Sequence, residues 1–188
     1  MKDIKTTLTT EAIFSDDGNK RYLIKKVWDS KKPHLAIIML APSEASGIEL
    51  DTTTMLVLNN CSRLGYGSVS ILNLFATLDD FNLIHAESED TENMDMIIKT
   101  AEKSDIVIYA PGVGKIKHKA FQKRQKQVLE ALTKYESKLS CLCDKDGKCR
   151  LQHPLSPSVR TWYLSQFKIN EILDDKKTVK KETKHKEK

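Results

Sequence analysis

The stretch LAIIML at residues 35–40 decides the fold class, because it is a continuous apolar run of strand length. Such a run is typical of a strand buried on both faces, as in a parallel sheet covered by helices. It ends abruptly at Ala41-Pro42-Ser43. Further strands are predicted at residues 68–74, 105–109 and 139–143, with room for a helix before each. The alternation predicts an α/β fold with a mostly parallel central sheet.

Capping and turn residues place the remaining elements around these strands. The first helix is predicted to begin near Asp51, where Asp51 or Thr52 can accept the free backbone N–H groups, and to stop at Gly65. Two more helices are expected at residues 91–102 and about 116–135, and a β-hairpin at residues 12–28. The expected architecture is a three-layer α/β/α sandwich with an N-terminal β-hairpin.

Length and charge favour one domain followed by a tail. We assign residues 1–173 to a single α/β domain and residues 174–188 to a basic, disordered tail, which holds seven lysines against four acidic residues. The whole chain has a net charge of +5, so the body is nearly neutral. Neither a signal peptide nor an apolar run of roughly 20 residues is present. We therefore expect a cytoplasmic protein without a membrane partner.

A ligand site is expected beyond the carboxyl ends of the predicted strands, where open α/β sheets bind ligands. Four segments follow the four predicted core strands, namely residues 41–51, 73–77, 111–115 and 144–156. They hold most of the polar residues that packing does not explain. We expect the segments to meet in one crevice.

The first two segments supply carboxylate, hydroxyl and amide groups. Pro42 and Ser43 form a rigid turn beside a hydroxyl, and Glu44 adds a carboxylate. Asp51 is a helix cap or a catalytic acid, and the two roles can coexist. Asn73 offers the donors and the acceptor needed to read a nucleobase edge, or alternatively ties down a neighbouring loop. Phe75, in the same segment, is also a substrate-binding candidate.

The last two segments supply an anion-binding loop and a histidine. Gly112, Gly114 and Lys115 precede a predicted helix, and exposed N–H groups there attract anions. The lysines and the arginine that follow, through residue 126, could meet phosphates or simply form a solvated helix face. His153 precedes a proline, which restricts it to extended geometry, and an imidazole can donate a hydrogen bond or stabilise a developing anion.

The cysteines leave one alternative open. The lack of a secretion signal argues against a disulfide framework. Cys141, Cys143 and Cys149, followed by His153, could bind zinc, although the first spacing is short for structural sites. Cys141 and Cys143 should share one face of their strand. Buried or hairpin cysteines remain the default interpretation, and no cofactor or metal is assigned.

Short motifs from Arg21 to Ser156 together resemble a bacterial and phage family catalogued as domain of unknown function 1643. They are R-Y-L at residue 21 and Trp28 near the start, P-S-x-A at residue 42, D-x-T at 51, G-Y-G at 65, N-L-F at 73 and H-P-L at 153. The resemblance implies membership in that family but no activity, because the family has none established.

The layout is also similar, more remotely, to the uracil-DNA glycosylase superfamily. Pro42, Asn73 and His153 match, in order and spacing, a first motif with its proline, a base-reading Asn and a catalytic His. The resemblance implies a glycosylase-like fold. The residue before Pro42 is Ala41, however, where a glycosylase has an acidic or amide residue. Glu44 or Asp51 would have to take that role.

Three functions follow from these residues. The first is a glycosylase-like enzyme acting on a nucleobase, nucleotide or DNA, with His153, Glu44 and Asp51 catalytic. The second is a non-catalytic module that binds a nucleotide or nucleic acid in the same crevice. The third is an unrelated small-molecule enzyme on the same scaffold.

Overall fold

The computed structural model describes residues 1, 3–43, 47–78, 90–114, 117–148 and 151–173. The predicted candidates Glu44 and Lys115, together with Cys149 and the tail at 174–188, lie outside the described residues. Within the described residues the chain forms, in order, β1 (Thr9–Phe14), β2 (Arg21–Val27), β3 (His34–Met39), α1 (Thr52–Arg63), β4 (Ser68–Asn73), α2 (Thr91–Lys103), β5 (Ile106–Tyr109), α3 (Lys119–Ala131), β6 (Leu139–Cys143), β7 (Tyr163–Gln166) and α4 (Ile169–Leu173).

One mixed sheet of seven strands organises the described chain, in the order β1-β2-β4-β3-β5-β6-β7. The four central strands, β4, β3, β5 and β6, are parallel to one another. The pairs β1–β2, β2–β4 and β6–β7 are antiparallel. The α/β prediction is confirmed, and the sheet is mixed, with a parallel core and antiparallel pairings on both sides of it. Parallel pairing is limited to the strands joined by helical crossovers, and β2 and β7, which flank them, run the other way.

The predicted N-terminal hairpin is confirmed as β1 and β2. Residues 15–20 connect the strands, and Gly18 adopts a φ of 73°, which an L side chain rarely takes. β2 then pairs antiparallel with the central strand β4, where Ile24 faces Ile71. The hairpin is therefore continuous with the sheet.

Hydrophobic clusters cover both faces of the sheet. On one face Ile38, Leu72 and Tyr109 pack against α2 and α3 through residues such as Ile97 and Phe121. On the other face Ile37, Ile71 and Ile108 pack against Val57 and Cys61 of α1. Successive residues of β3 therefore point to opposite cores, which is why its sequence is apolar without alternation.

Helix ends follow the predicted caps with one exception. Asp51 caps α1, as the sequence predicted, and Asp90 caps α2. The third helix is shorter than predicted: α3 ends at Ala131, and residues 133–138 form a 3₁₀ helix. Trp162 is fully buried, and β7, which begins directly after it, was not predicted. None of the described helices combines the length and the apolar character needed to span a membrane.

Candidate functional site

The candidate site lies at the edge of the sheet where β3, β4, β5 and β6 end. Parallel strands place their carboxyl ends at the same edge, so the segments after Met39, Asn73, Tyr109 and Cys143 share it. Because β2 is antiparallel to β4, the first residue of β2 also reaches this edge. That residue is Arg21, which sequence reasoning did not include among the site residues.

Arg21 connects two of the predicted segments. Its side chain is buried, at 3% exposure. Nη1 donates to the backbone carbonyl of Ser43 over 2.7 Å, and Nη2 donates to Oδ1 of Asn73 over 3.5 Å. Burial lowers the pKa of Arg21, and the negative charge of Asp51 opposes that shift. A charged residue among the apolar residues of β2 was the sequence signal that could have identified it.

Asp51 is both a helix cap and a member of this cluster. Its Oδ1 accepts the backbone N–H of Thr54 over 2.6 Å. Burial opposes ionisation of the carboxyl group, but hydrogen bonds from the Ser43 hydroxyl and from Thr54, together with the charge of Arg21, outweigh it and lower the pKa. Asp51 is therefore a carboxylate at neutral pH and a weak base.

His153 has a defined tautomer. The backbone N–H of Leu155 donates to Nδ1 of His153 over 3.2 Å. A backbone N–H can only donate, so Nδ1 carries no proton and the neutral ring carries its proton on Nε2. Burial lowers the pKa of His153, and the charge of Asp51 offsets this shift in part. At neutral pH the ring is thus a neutral donor through Nε2.

Gly112 packs directly against His153. Its φ is 86°, and a Cβ built at Gly112 would lie 3.3 Å from Cβ of His153. Glycine is therefore required by the backbone conformation and favoured by the close neighbour. The loop after β5 meets the His153 segment at this point.

Asn73 is the last residue of β4, and only the oxygen of its side-chain amide has a hydrogen-bond partner among the described residues. Its residue exposure is 1%, and Oδ1 accepts from Arg21. Its Nδ2 is buried and has no hydrogen-bond partner among the described residues. The backbone carbonyl of Asn73 accepts from Nδ2 of Asn93 over 3.1 Å, which fixes the strand end against α2.

Four of these residues, Arg21, Ser43, Asp51 and Asn73, form a hydrogen-bonded cluster at this edge, and His153 lies within reach of the charge of Asp51. Hydrogen bonds link Arg21 to Ser43 and Asn73, Ser43 binds Asp51, and the charge of Asp51 reaches His153. Pro42, directly before Ser43, is buried.

Three further residues that the sequence proposed for the site are Phe75, Gly112 and Gly114. The ring of Phe75 is 2% exposed and packs in the core on the α2–α3 face. Gly112 and Gly114 do not open a helix, because α3 begins at Lys119 behind His118, whose Nδ1 accepts from the N–H of Ala120. Gly114 is exposed.

The basic residues after this loop do not all lie on the outer face. Lys117, Lys119, Lys123 and Lys126 are exposed. Arg124 is instead 2% exposed, and its Nε donates to the carbonyl of Leu74 over 2.8 Å. Arg124 therefore binds the backbone of the residue that follows β4, and it is not part of a solvated surface.

Two of the three clustered cysteines, Cys141 and Cys143, lie within the described residues. Cys141 and Cys143 lie on the same face of β6, as predicted, and both pack in the core. Cys143 is disulfide-bonded, whereas Cys61 and Cys141 are free. The sequence argued against a framework of several disulfides, and a single bonded cysteine among the described residues does not test that expectation. In the described part of the chain, no group of three or more His, Cys, Asp or Glu residues is arranged to hold a metal.

A cavity of about 360 Å³ lies at the opposite edge of the sheet, where the parallel strands begin. Its lining includes Pro33, Tyr66, Asp105, Lys138 and Gln166. None of the predicted site residues lines it. Groups with shifted pKa values occur at both edges: burial raises the pKa of Tyr66 in this cavity, and Arg21, Asp51 and His153 have lowered pKa values at the carboxyl edge.

Comparison with known proteins gives a family but no activity. The profile of the family described as "Protein of unknown function (DUF1643)" matches residues 21–155, which includes every residue of the cluster. No curated protein matches the chain. The family match carries no link to the uracil-DNA glycosylase superfamily, so that resemblance rests on the sequence motifs alone.

Proposed function

We propose that the chain, which belongs to the DUF1643 family of proteins of unknown function, is a glycosylase-like hydrolase. The family match gives no activity, so the proposal is argued from the residues of the site. The proposed substrate is a nucleobase-containing compound, which includes a nucleotide or DNA. The proposed site is the cluster of Arg21, Ser43, Asp51, Asn73 and His153 at the carboxyl edge.

The proposal depends chiefly on the tautomer of His153. In the proposed reaction the bond between the base nitrogen and the sugar carbon breaks, and its electron pair leaves with the base. The neutral imidazole can donate its Nε2 proton in a hydrogen bond to the developing anion on the base. The Leu155 N–H holds the ring in the tautomer that makes this possible.

Asp51 supplies the second charge that the reaction needs. Its low pKa keeps it ionised, so it can stabilise the positive charge that develops on the sugar as the bond breaks. A water oxygen then bonds to the sugar carbon, and a proton from that water ends on the base or in solvent. Asn73 would contact the base. Glu44, predicted to share the acidic role, lies outside the described residues.

One observation favours a second function, binding without catalysis. The Asp51 carboxylate already accepts hydrogen bonds from Ser43 and Thr54, and its lowered pKa makes it a poor general base. Ala41, before Pro42, cannot activate water. On this alternative the same cluster would recognise a nucleotide or nucleic acid, and nothing would be hydrolysed.

The test uses the full-length chain with single- and double-stranded uracil-containing oligonucleotides, nucleosides and nucleotides. Free base is measured by chromatography, and binding by thermal shift. We expect base release that falls by about 100-fold or more in His153→Asn, in which Oδ1 can still accept from Leu155 but the Nε2 donor is gone. The matched control is His118→Asn, at the cap of α3.

The outcomes separate the two functions. Binding without base release that survives His153→Ala would support the binding module and contradict the hydrolase. Neither binding nor release across the whole panel would contradict both.

A further inference from the structure

Asn73 is held in a single amide orientation by Arg21. Nη2 of Arg21 lies 3.5 Å from Oδ1 of Asn73, and the guanidinium group has donors only. The reverse orientation would place the Asn73 NH₂ group against a buried cation, donor facing donor. The second contact of Arg21, 2.7 Å to the carbonyl of Ser43, fixes the guanidinium group in turn.

This arrangement leaves one polar atom of Asn73 to be satisfied. Nδ2 is buried, and the described residues offer it no acceptor. A buried N–H without a partner costs about 1–3 kcal/mol, and natural proteins keep such groups mainly where a ligand, a water or a mechanism uses them. The oxygen of the same amide already accepts from Arg21, so the group of Asn73 that is left for a ligand to satisfy is the Nδ2 donor.

We propose that Arg21 is a positioning residue that locks the amide of Asn73, and that the ligand therefore presents a hydrogen-bond acceptor, such as an oxo oxygen, to Nδ2. This inference rests on the proposed function, since it assigns the class of base that the same site takes. Bases with an oxo group at the recognised position are accepted. Bases with an amino group there place a donor against Nδ2 and are rejected.

The charge of Arg21 adds a second consequence. Arg21 helps to keep Asp51 ionised, so loss of the guanidinium group raises the pKa of Asp51. A residue with a purely structural role would change stability without changing either base selectivity or the titration of Asp51.

The first experiment needs no variant. Isothermal titration of the full-length chain compares uridine with cytidine and inosine with adenosine, pairs that differ in an oxo or an amino group. We expect the oxo member of at least one pair to bind about tenfold or more tightly, because the amino member leaves donors unpaired. Equal affinity within both pairs, or a preference for the amino members, would overturn the inference while leaving the proposed function intact.

The second experiment changes Arg21. In Arg21→Gln we expect the selectivity to fall to within about threefold and the Asp51 carboxyl signal to titrate at higher pH in NMR. Arg21→Lys should restore the Asp51 titration but only part of the selectivity, because an ammonium group lacks the planar fork. The control is Arg124→Gln, which removes another buried arginine, one that binds the carbonyl of Leu74.

These outcomes are distinguishable. Selectivity retained in Arg21→Gln, or lost equally in Arg124→Gln, would overturn the positioning role. Failure of all four nucleosides to bind wild-type protein would instead contradict the proposed function, and the inference would fall with it. If Arg21→Gln does not fold, Arg21→Lys and the wild-type titrations still decide the question.

Discussion

The carboxylates of Asp51 and Asp90 cap α1 and α2 in the same way, each accepting the backbone N–H three residues later, over 2.6 Å and 2.9 Å. Their surroundings differ. Asp51 shares its site with Arg21 and His153, whereas Asp90 pairs with Lys20 over 3.2 Å. The two residues therefore allow capping to be separated from function.

We predict that Asp51→Asn weakens ligand binding or base release and that Asp90→Asn does not. Asparagine caps a helix about as well as aspartate, so both variants should fold and lose about 1–2 kcal/mol of unfolding free energy, through the lost attraction to Arg21 at Asp51 and the lost ion pair with Lys20 at Asp90. Ligand affinity or base release should fall about tenfold or more only in Asp51→Asn. Denaturant unfolding and the nucleoside titrations measure the two effects. Equal functional loss in both variants would assign Asp51 to capping alone.

The burial of His153 predicts a loss of stability in mild acid. Its folded pKa lies below the ordinary value of 6.5, so the unfolded chain binds a proton at a higher pH than the folded chain does. The contribution of neutral His153 to the free energy of unfolding is complete above pH 6.5, and it is lost as the pH falls toward the pKa of His153 in the folded chain. Protonation also removes the Nδ1 acceptor for Leu155.

The measurement is the unfolding free energy between pH 5 and 8 in wild type, His153→Asn and His34→Asn. His34 is included because burial lowers its pKa as well. We expect each variant to flatten part of the acid slope. An unchanged slope in His153→Asn, or an NMR pKa of His153 above 6.5, would contradict the prediction.

We predict that Gly112→Ala displaces His153 at the site, in addition to lowering the stability of the fold through backbone strain. A positive φ costs a non-glycine residue about 1–2 kcal/mol. At Gly112, with φ of 86°, the new methyl group also meets Cβ of His153 at 3.3 Å. At Gly65, with φ of 87°, a methyl group would meet nothing within 4 Å in the described part of the chain.

Comparison of Gly112→Ala with Gly65→Ala therefore isolates the contact with His153. Both should lose similar stability in thermal or denaturant unfolding. Only Gly112→Ala should shift the imidazole resonances of His153 in NMR and weaken ligand binding. Similar resonance shifts in the two variants would show that the contact has no influence on the ring.

We predict that a substitution of Asn60, which lies far from the site, strongly lowers the free energy of unfolding. Its Nδ2 donates to the carbonyl of Arg160 over 3.0 Å, and its Oδ1 accepts the N–H of Trp162 over 2.9 Å, so it ties the segment before β7 to α1. Asn60→Ala should cost about 2–4 kcal/mol of unfolding free energy, because buried backbone groups lose their partners. The exposed Asn59, changed to Ala, is the control and should cost nothing. Equal costs would contradict this reading.

Local signals made much of the fold predictable. The apolar run of β3, the Asp51 cap and the turn with Gly18 each depend on residues close together in the chain, and each lies where the sequence placed it. β7 carries no such signal. Its four residues are half exposed, and its pairing with β6 decides its conformation.

The site was predictable only where strand ends identified it. Ser43, Asn73 and His153 follow strands or precede prolines, which are visible in one sequence. Arg21 was missed because its partners lie 22 and 52 residues away, and because the sequence did not reveal that β2 pairs antiparallel with β4. The anion loop at Gly112 was misjudged for a related reason: the start of α3 depends on a His118 cap that composition does not indicate.

The antiparallel pairing of β2 with β4 means that the hairpin and the helical crossovers build the crevice jointly. A shortened chain that starts at His34 would keep β3 to β6 and both apolar layers between them, yet one wall of the crevice would be missing. Any excised or recombined version intended to retain ligand recognition must therefore keep the second hairpin strand, however dispensable it looks for the parallel core.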